Sequence, residues 1–217
     1  MEKIEENVIV LDYLPEGRGG RPPFRREPLA IVMGMNYFTL LEVVTKKDDA
    51  GNYIKLNMNE HAYIGKGERN KIHFIKRRIS FDELTAVAQS EVEVAVRDIV
   101  KEQEKRFVDF FNKSQPLTTR QHQLELLPKI GKKLMWELLA ERGKKPFEGF
   151  ADIKARVKNM PDPSEIIIEK IMEEIRGLSK YFIFSANPPQ KDEQEGFGQH
   201  NDRGGYRRGP PRRRPPA

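Results

Sequence analysis

Residues 124–142 read LELLPKIGKKLMWELLAER. Both ends favour helix, yet Pro128 and Gly131, the two poorest helix residues, stand at the centre. The break ends one helix near Leu127 and starts another near Gly131, joined only through Pro128, Lys129 and Ile130. The first amides of the second helix have no acceptor within it and carry the positive end of its dipole. With Lys132 and Lys133 beside them, they suit a phosphate. The alternative is a turn that only packs helices. Leu134, Met135, Leu138 and Leu139 form a packing stripe, and Trp136 beside it is expected to pack as well.

A second group suited to nucleic acid lies in YIGKGERNKIHFIKRR, where Lys66, Arg69, Lys71, His73, Lys76, Arg77 and Arg78 alternate with Tyr63 and Phe74. On a strand, His73 and Phe74 point to opposite sides, so one face is expected to be basic while the other fills a core. A basic groove with aromatic platforms is how small barrels hold single strands. An edge strand protected by Lys and Arg gives the same pattern. Near the C-terminus, RGGYRRGPPRRRPP carries Arg203, Tyr206, Arg207, Arg208, Arg212, Arg213 and Arg214. It and GRGGR, residues 17–21, resemble RGG-type segments, in which Arg meets phosphate and an aromatic such as Tyr206 stacks on an unpaired base. A nonspecific solubilising tail is the alternative.

No recognisable catalytic constellation accompanies these groups. There is no GxxxxGK[ST], HExxH or GxSxG. His61, His73, His122 and His200 are scattered without metal-ligand spacing. The expectation is therefore a binding protein rather than an enzyme, with no metal and no cofactor; an unrecognised nuclease is testable by metal-dependent cleavage.

Charge is segregated along the chain. Of 39 Lys and Arg, six lie in residues 203–217, so residues 1–202 hold 33 basic side chains against all 33 acidic ones. The absence of Cys excludes disulfides and thiolate chemistry and suits a reducing compartment, with the cytoplasm as default. The longest uncharged run, PLAIVMGMNYFTLL, is too short to span a bilayer, and no targeting segment is visible.

Positioning these groups falls to elements legible from periodicity. NVIVLDYL, PLAIVMG, NYFTLLEVV, NYIKLNM and NKIHFIKRRI read as five strands, a small closed or half-closed barrel of the OB or SH3-like kind. Capping patterns at Ser80 with Glu83 and Ser90 with Glu93 open a long helix that carries Val92, Val96, Ile99, Val100, Phe107, Phe110 and Phe111 to Asn112. Thr118 with Gln121 is a further cap, and short helices follow. The clearest has Asp162 as N-cap, Pro163 at its first position, apolar Ile167, Ile168, Ile171, Met172 and Ile175, and Gly177 beyond its end. YFIF, residues 181–184, reads as a last strand. The divisions are a barrel at 1–80, a connecting helix at 81–115, a helical module at 116–185 and a disordered tail at 186–217.

LLPKIGKK is similar to the helix-hairpin-helix motif, whose core is LPGIG followed by a helix, and departs from it at Lys129, where the family has Gly. KKPFEGFADIKARVKNMPDP resembles the connector and degenerate second hairpin of tandem modules, with Asn159, Met160 and Pro161 at its turn. Over roughly residues 1–185, the chain resembles an uncharacterised archaeal family of predicted nucleic-acid-binding proteins. That resemblance implies an α+β protein, an OB-like barrel followed by a tandem helix-hairpin-helix domain. Its expected partner is nucleic acid, with ribosomal or transfer RNA favoured over DNA, and no membrane. Duplex DNA in repair or recombination, and docking on ribosome or polymerase components, are the competing readings.

Overall fold

Short apolar, β-branched runs produce five antiparallel strands among the described residues: β1 (Asn7–Leu14), β2 (Leu29–Gly34), β3 (Leu40–Thr45), β4 (His61–Tyr63) and β5 (Ile72–Arg78). The structure, a computed structural model, describes residues 4–19 and 27–189. The strands lie in the order β4-β1-β2-β3-β5, leaving β4 and β5 as edges, so the sheet is a curled half-barrel. Its centre is covered on both sides. Ile9, Leu11, Ile31, Met33 and Leu40 face the helices, while Val8, Val10, Ala30, Val32, Leu41 and Val43 meet Leu56, Ile64 and Ile72.

Among the described residues five α-helices follow: α1 (Ala86–Glu102), α2 (Glu104–Lys113), α3 (Lys132–Lys144), α4 (Phe150–Arg156) and α5 (Pro163–Ile175). α1 packs against both β1 and α5, so its buried residues Ala88, Val92, Ala95, Val96, Ile99 and Val100 bridge sheet and helices. A continuous apolar core runs from Ile31 and Met33 through Phe107, Phe111 and Leu124 to Leu138, Ile167 and Ile171.

Several elements differ from the sequence expectation. NYIKLNM supplies one isolated bridge, Lys47 with Tyr53, and the pairing strand is instead HAY. Ser80 and Glu83 form their capping box on a short 3-10 turn, while Thr85 caps α1 by accepting the Ala88 amide and is itself held by Asp12 at 2.6 Å. Ser90 lies inside α1. The long helix is interrupted at Gln103, whose backbone (φ −105°, ψ 30°) separates α1 from α2. Thr118 closes a turn on the Arg120 and Gln121 amides rather than opening a helix. Phe74 does not fill the core: β5 bulges at the unpaired positions His73 and Lys76, the alternation slips, and Phe74 is 39% exposed. Arg18 of the first glycine-rich loop pairs with buried Glu42 and donates to the Glu83 carbonyl, a structural role.

YFIF is not a strand because a carboxylate takes its amides. Glu174 of α5, fully buried, accepts the N–H groups of Ile183, Phe184 and Ser185 at 2.8–3.0 Å, and the Lys170 ammonium lies 3.6 Å away. Phe184 then docks edge-on against Phe107 and Phe110. Glu174→Ala would strand three peptide N–H groups and a buried cation. We predict a loss of ~3–5 kcal/mol, the range for a broken buried pair, in urea unfolding; a loss below ~1 kcal/mol would contradict this role.

Candidate nucleic-acid interface

Two turns of the same kind build the helical half. In the first, a 3-10 turn (Gln123–Leu126) leads to Leu127, and the Ile130 amide returns to the Leu127 carbonyl at 3.3 Å before α3 begins. In the second, α4 leads to Val157, and the Met160 amide returns to the Val157 carbonyl, also at 3.3 Å, before α5 begins. Leu127, Ile130, Val157 and Met160 are all buried, which pins both turns to the core. The third residue of each turn is left-handed: Lys129 at φ 63° and Asn159 at φ 58°. Asn tolerates that region, whereas Lys is strained in it. The sequence motif with Gly at the position of Lys129 thus has a conformational reason. The turns lie side by side, Gly131 and Lys133 of one and Lys158 and Asn159 of the other lining a shallow hollow of about 210 Å³.

The two hairpins differ in what meets the following helix. Asp162 accepts the Ser164 amide at 3.0 Å, and Pro163 removes another donor, so the start of α5 is satisfied from within the chain. Thr85 caps α1, and the Glu104 carboxylate accepts the first amide of α4, from Phe150, at 2.6 Å. α3 has no such partner. Gly131, its N-cap, has no side chain to offer, and no side-chain cap meets α3. Lys132 and Lys133 are exposed, with no ion-pair partner among the described residues. Lys129 is exposed but tied to Glu169 of α5. Of the six hairpin residues singled out in the sequence, Gly131, Lys132 and Lys133 thus form the open surface. Pro128 shapes the turn, Ile130 anchors it, and Lys129 is partly engaged.

The β5 group is less uniform. Lys71 pairs with Glu60, whose carboxyl is held below its usual range chiefly by that bond. Arg69 donates to the Gly65 carbonyl at 3.0 Å, Arg78 to that of Asn187 at 2.6 Å, and Arg77 to Glu42 and Glu83. Lys66, His73 and Lys76 have no ion-pair partner among the described residues, and His73 lies edge-on to exposed Phe74 with centroids 5.3 Å apart. Arg203, Tyr206, Arg207, Arg208, Arg212, Arg213 and Arg214 lie outside the described residues; of the tail expected to be disordered, residues 186–189 are described, the Ala186 amide donating to the Tyr37 carbonyl at 2.9 Å.

Trp136 corrects the sequence reading: it does not pack but is 65% exposed. Helical spacing from Lys132 could have placed it on the surface; its place beside the stripe of Leu134, Met135, Leu138 and Leu139 argued the other way. Beside it, His122 accepts the Leu124 amide on Nδ1 at 3.1 Å, and burial, reinforced by Arg142, pushes the imidazole below its ordinary pKa and keeps it neutral. Among the described residues no three His, Asp or Glu side chains gather as a metal site, and no helix is long and apolar enough to cross a membrane.

A family model described as a protein of unknown function, DUF655, matches residues 4–186, and the chain belongs to this family. The uncharacterized protein MJ0038 of Methanocaldococcus jannaschii is 40% identical over 185 residues, covering 84% of this chain and 81% of that one. The crystal structure of Af1531 from Archaeoglobus fulgidus, assigned to the same family, is similar with a TM-score of 0.73 at 45% identity, covering 84% of this chain and all of that one.

The strain at Lys129 is measurable. Lys129→Gly relieves a left-handed L-residue, worth about 1 kcal/mol, and gives up an exposed ion pair worth ~0–1 kcal/mol. The variant is expected to be more stable by about 0.5 kcal/mol in urea unfolding, and a clear destabilisation would show that the ion pair governs the turn.

Proposed function

We propose that the protein binds nucleic acid, RNA in preference to DNA, without catalysing a reaction, and that the start of α3 is its backbone-phosphate site. The two hairpins then act as a tandem helix-hairpin-helix pair, the first gripping and the second supporting. One observation carries this reading: among the described residues, α3 is the one helix opening from a loop that lacks an internal cap, and two lysines without an ion-pair partner there stand where the others have an oxygen. A phosphate would supply that oxygen, accepting peptide N–H groups at the positive end of the helix. Lys76 and the His73–Phe74 pair on the β5 edge offer a second contact, Lys66 in the loop after β4 adds a further cation, and the Arg-rich C-terminal segment adds nonspecific attraction and faster encounter. The preference for RNA rests on this aromatic-basic edge and the RGG-like segment, both suited to unpaired bases.

The reading can be separated from folding. Gly131 has an extended backbone (φ −88°, ψ 176°), and a Cβ there would meet nothing within 4 Å, so an Asp fits. Gly131→Asp would supply the missing cap and fill the site with the protein's own carboxylate. It is expected to stabilise the fold by about 0.3–1 kcal/mol while weakening RNA binding about tenfold or more. Unchanged affinity in the stabilised variant would exclude α3 as the phosphate site. Competition between structured RNA and duplex DNA for the wild-type chain tests the preference.

A further inference from the structure

Beside its first turn, α3 borders a second concavity. Lys132, Trp136 and Leu139 stand four and three residues apart on one face of the helix. With buried Met135 they line a hollow of about 490 Å³, whose opposite wall includes Arg120 and His122. The floor is apolar, from Met135 and half-buried Leu139. Trp136 is more exposed than any other aromatic side chain among the described residues. Arg120 and Lys132 have no ion-pair partner among the described residues. The one carboxylate at the rim, Glu125, accepts the His122 backbone amide at 2.8 Å.

His122 adds a directional group. It is only 6% exposed, and because Nδ1 accepts the Leu124 amide at 3.1 Å, the neutral ring carries its hydrogen on Nε2. That N–H meets no acceptor among the described residues, while the side chain lines the hollow. A flat indole face, an apolar floor, a neutral donor and two unpaired cations match a nucleotide: a planar base with hydrogen-bonding edges and a phosphate at one end.

We propose that this hollow holds one unpaired nucleotide of a bound RNA, its base stacked on Trp136 and bonded by His122, its phosphate between Lys132 and Arg120. The proposal rests on the phosphate-binding reading of α3, since Lys132 belongs to both surfaces. It adds that the protein selects RNA with an unpaired base next to the gripped backbone. An apolar groove for a protein partner would not need two cations without ion-pair partners among the described residues and a neutral donor in its wall.

Trp136 is the only tryptophan in the chain, so its intrinsic fluorescence reports the site directly. The full chain is titrated with a short single-stranded oligoadenylate and with a blunt, fully paired RNA duplex. The oligoadenylate is expected to quench Trp136 strongly and the duplex little. In a labelled-ligand assay, Trp136→Ala is expected to weaken oligoadenylate binding about five- to hundredfold, the value of one stacked base, and duplex binding by less than about twofold, with Trp136→Phe restoring most of the loss. Because the side chain is exposed, Trp136→Ala is expected to keep a native circular dichroism spectrum. Oligoadenylate binding without quenching, or equal quenching by the duplex, would overturn the stacking site and leave backbone binding intact. Failure of both RNAs to bind would overturn both readings.

Discussion

Buried peptide N–H groups must have acceptors, and this protein meets that constraint repeatedly with its own carboxylates. Glu5 accepts the amides of Asn36, Tyr37 and Thr39 and so fixes the β2–β3 turn, while Arg106 crosses from α2 to hold the Met35 and Asn36 carbonyls of the same turn. Glu174 holds the segment beyond α5, Glu104 the start of α4 and Asp162 the start of α5. Glu42 draws in Arg18 and Arg77 and ties the first loop to β3 and β5. Against this background the start of α3 stands apart. At α1, α4 and α5 the chain supplies side-chain oxygens to the first amides; at α3 it supplies lysines.

The fold keeps that surface rigid. α1 lies between the sheet and α5, and the core beneath the hairpins is continuous with the core beneath β1 and β2. Each turn is nailed down by two buried apolar residues, so the exposed amides of α3 are set by packing rather than by a loop. The half-buried Arg142 guanidinium joins α3 to the end of α2 through the Phe111 carbonyl and both oxygens of Ser114, fixing the wall from which Trp136 projects.

What was legible in the sequence follows from the range of the forces involved. Local signals gave four of the five strands, α5 with its Asp162 cap and Gly177 stop, and the break at Pro128 and Gly131, because capping and turn chemistry act over a few residues. The errors came from tertiary partners and strand irregularities that composition does not show. YFIF has strand composition, but its amides belong to Glu174 on a helix. Phe74 has a core residue's chemistry, but two bulges in β5 turn it outward. Arg18 sits in a glycine-rich basic loop, but Glu42 captures it. For the site, the residue types at the hairpin were readable. The contrast with the capped second hairpin, the exposure of Trp136 and its proximity to Arg120 and His122 required coordinates.

On the proposed function, the folded part, without the Arg-rich segment, holds a nucleic-acid site. The direct measurement is the affinity of residues 1–186 for structured RNA across a salt series. Binding is expected to weaken as salt rises, with a log-log slope of at least about two phosphate contacts, each contributing roughly 0.7–0.9. Absence of binding would contradict it and place the affinity in the C-terminal arginines, and a slope near zero would remove the lysines of α3 from the interface.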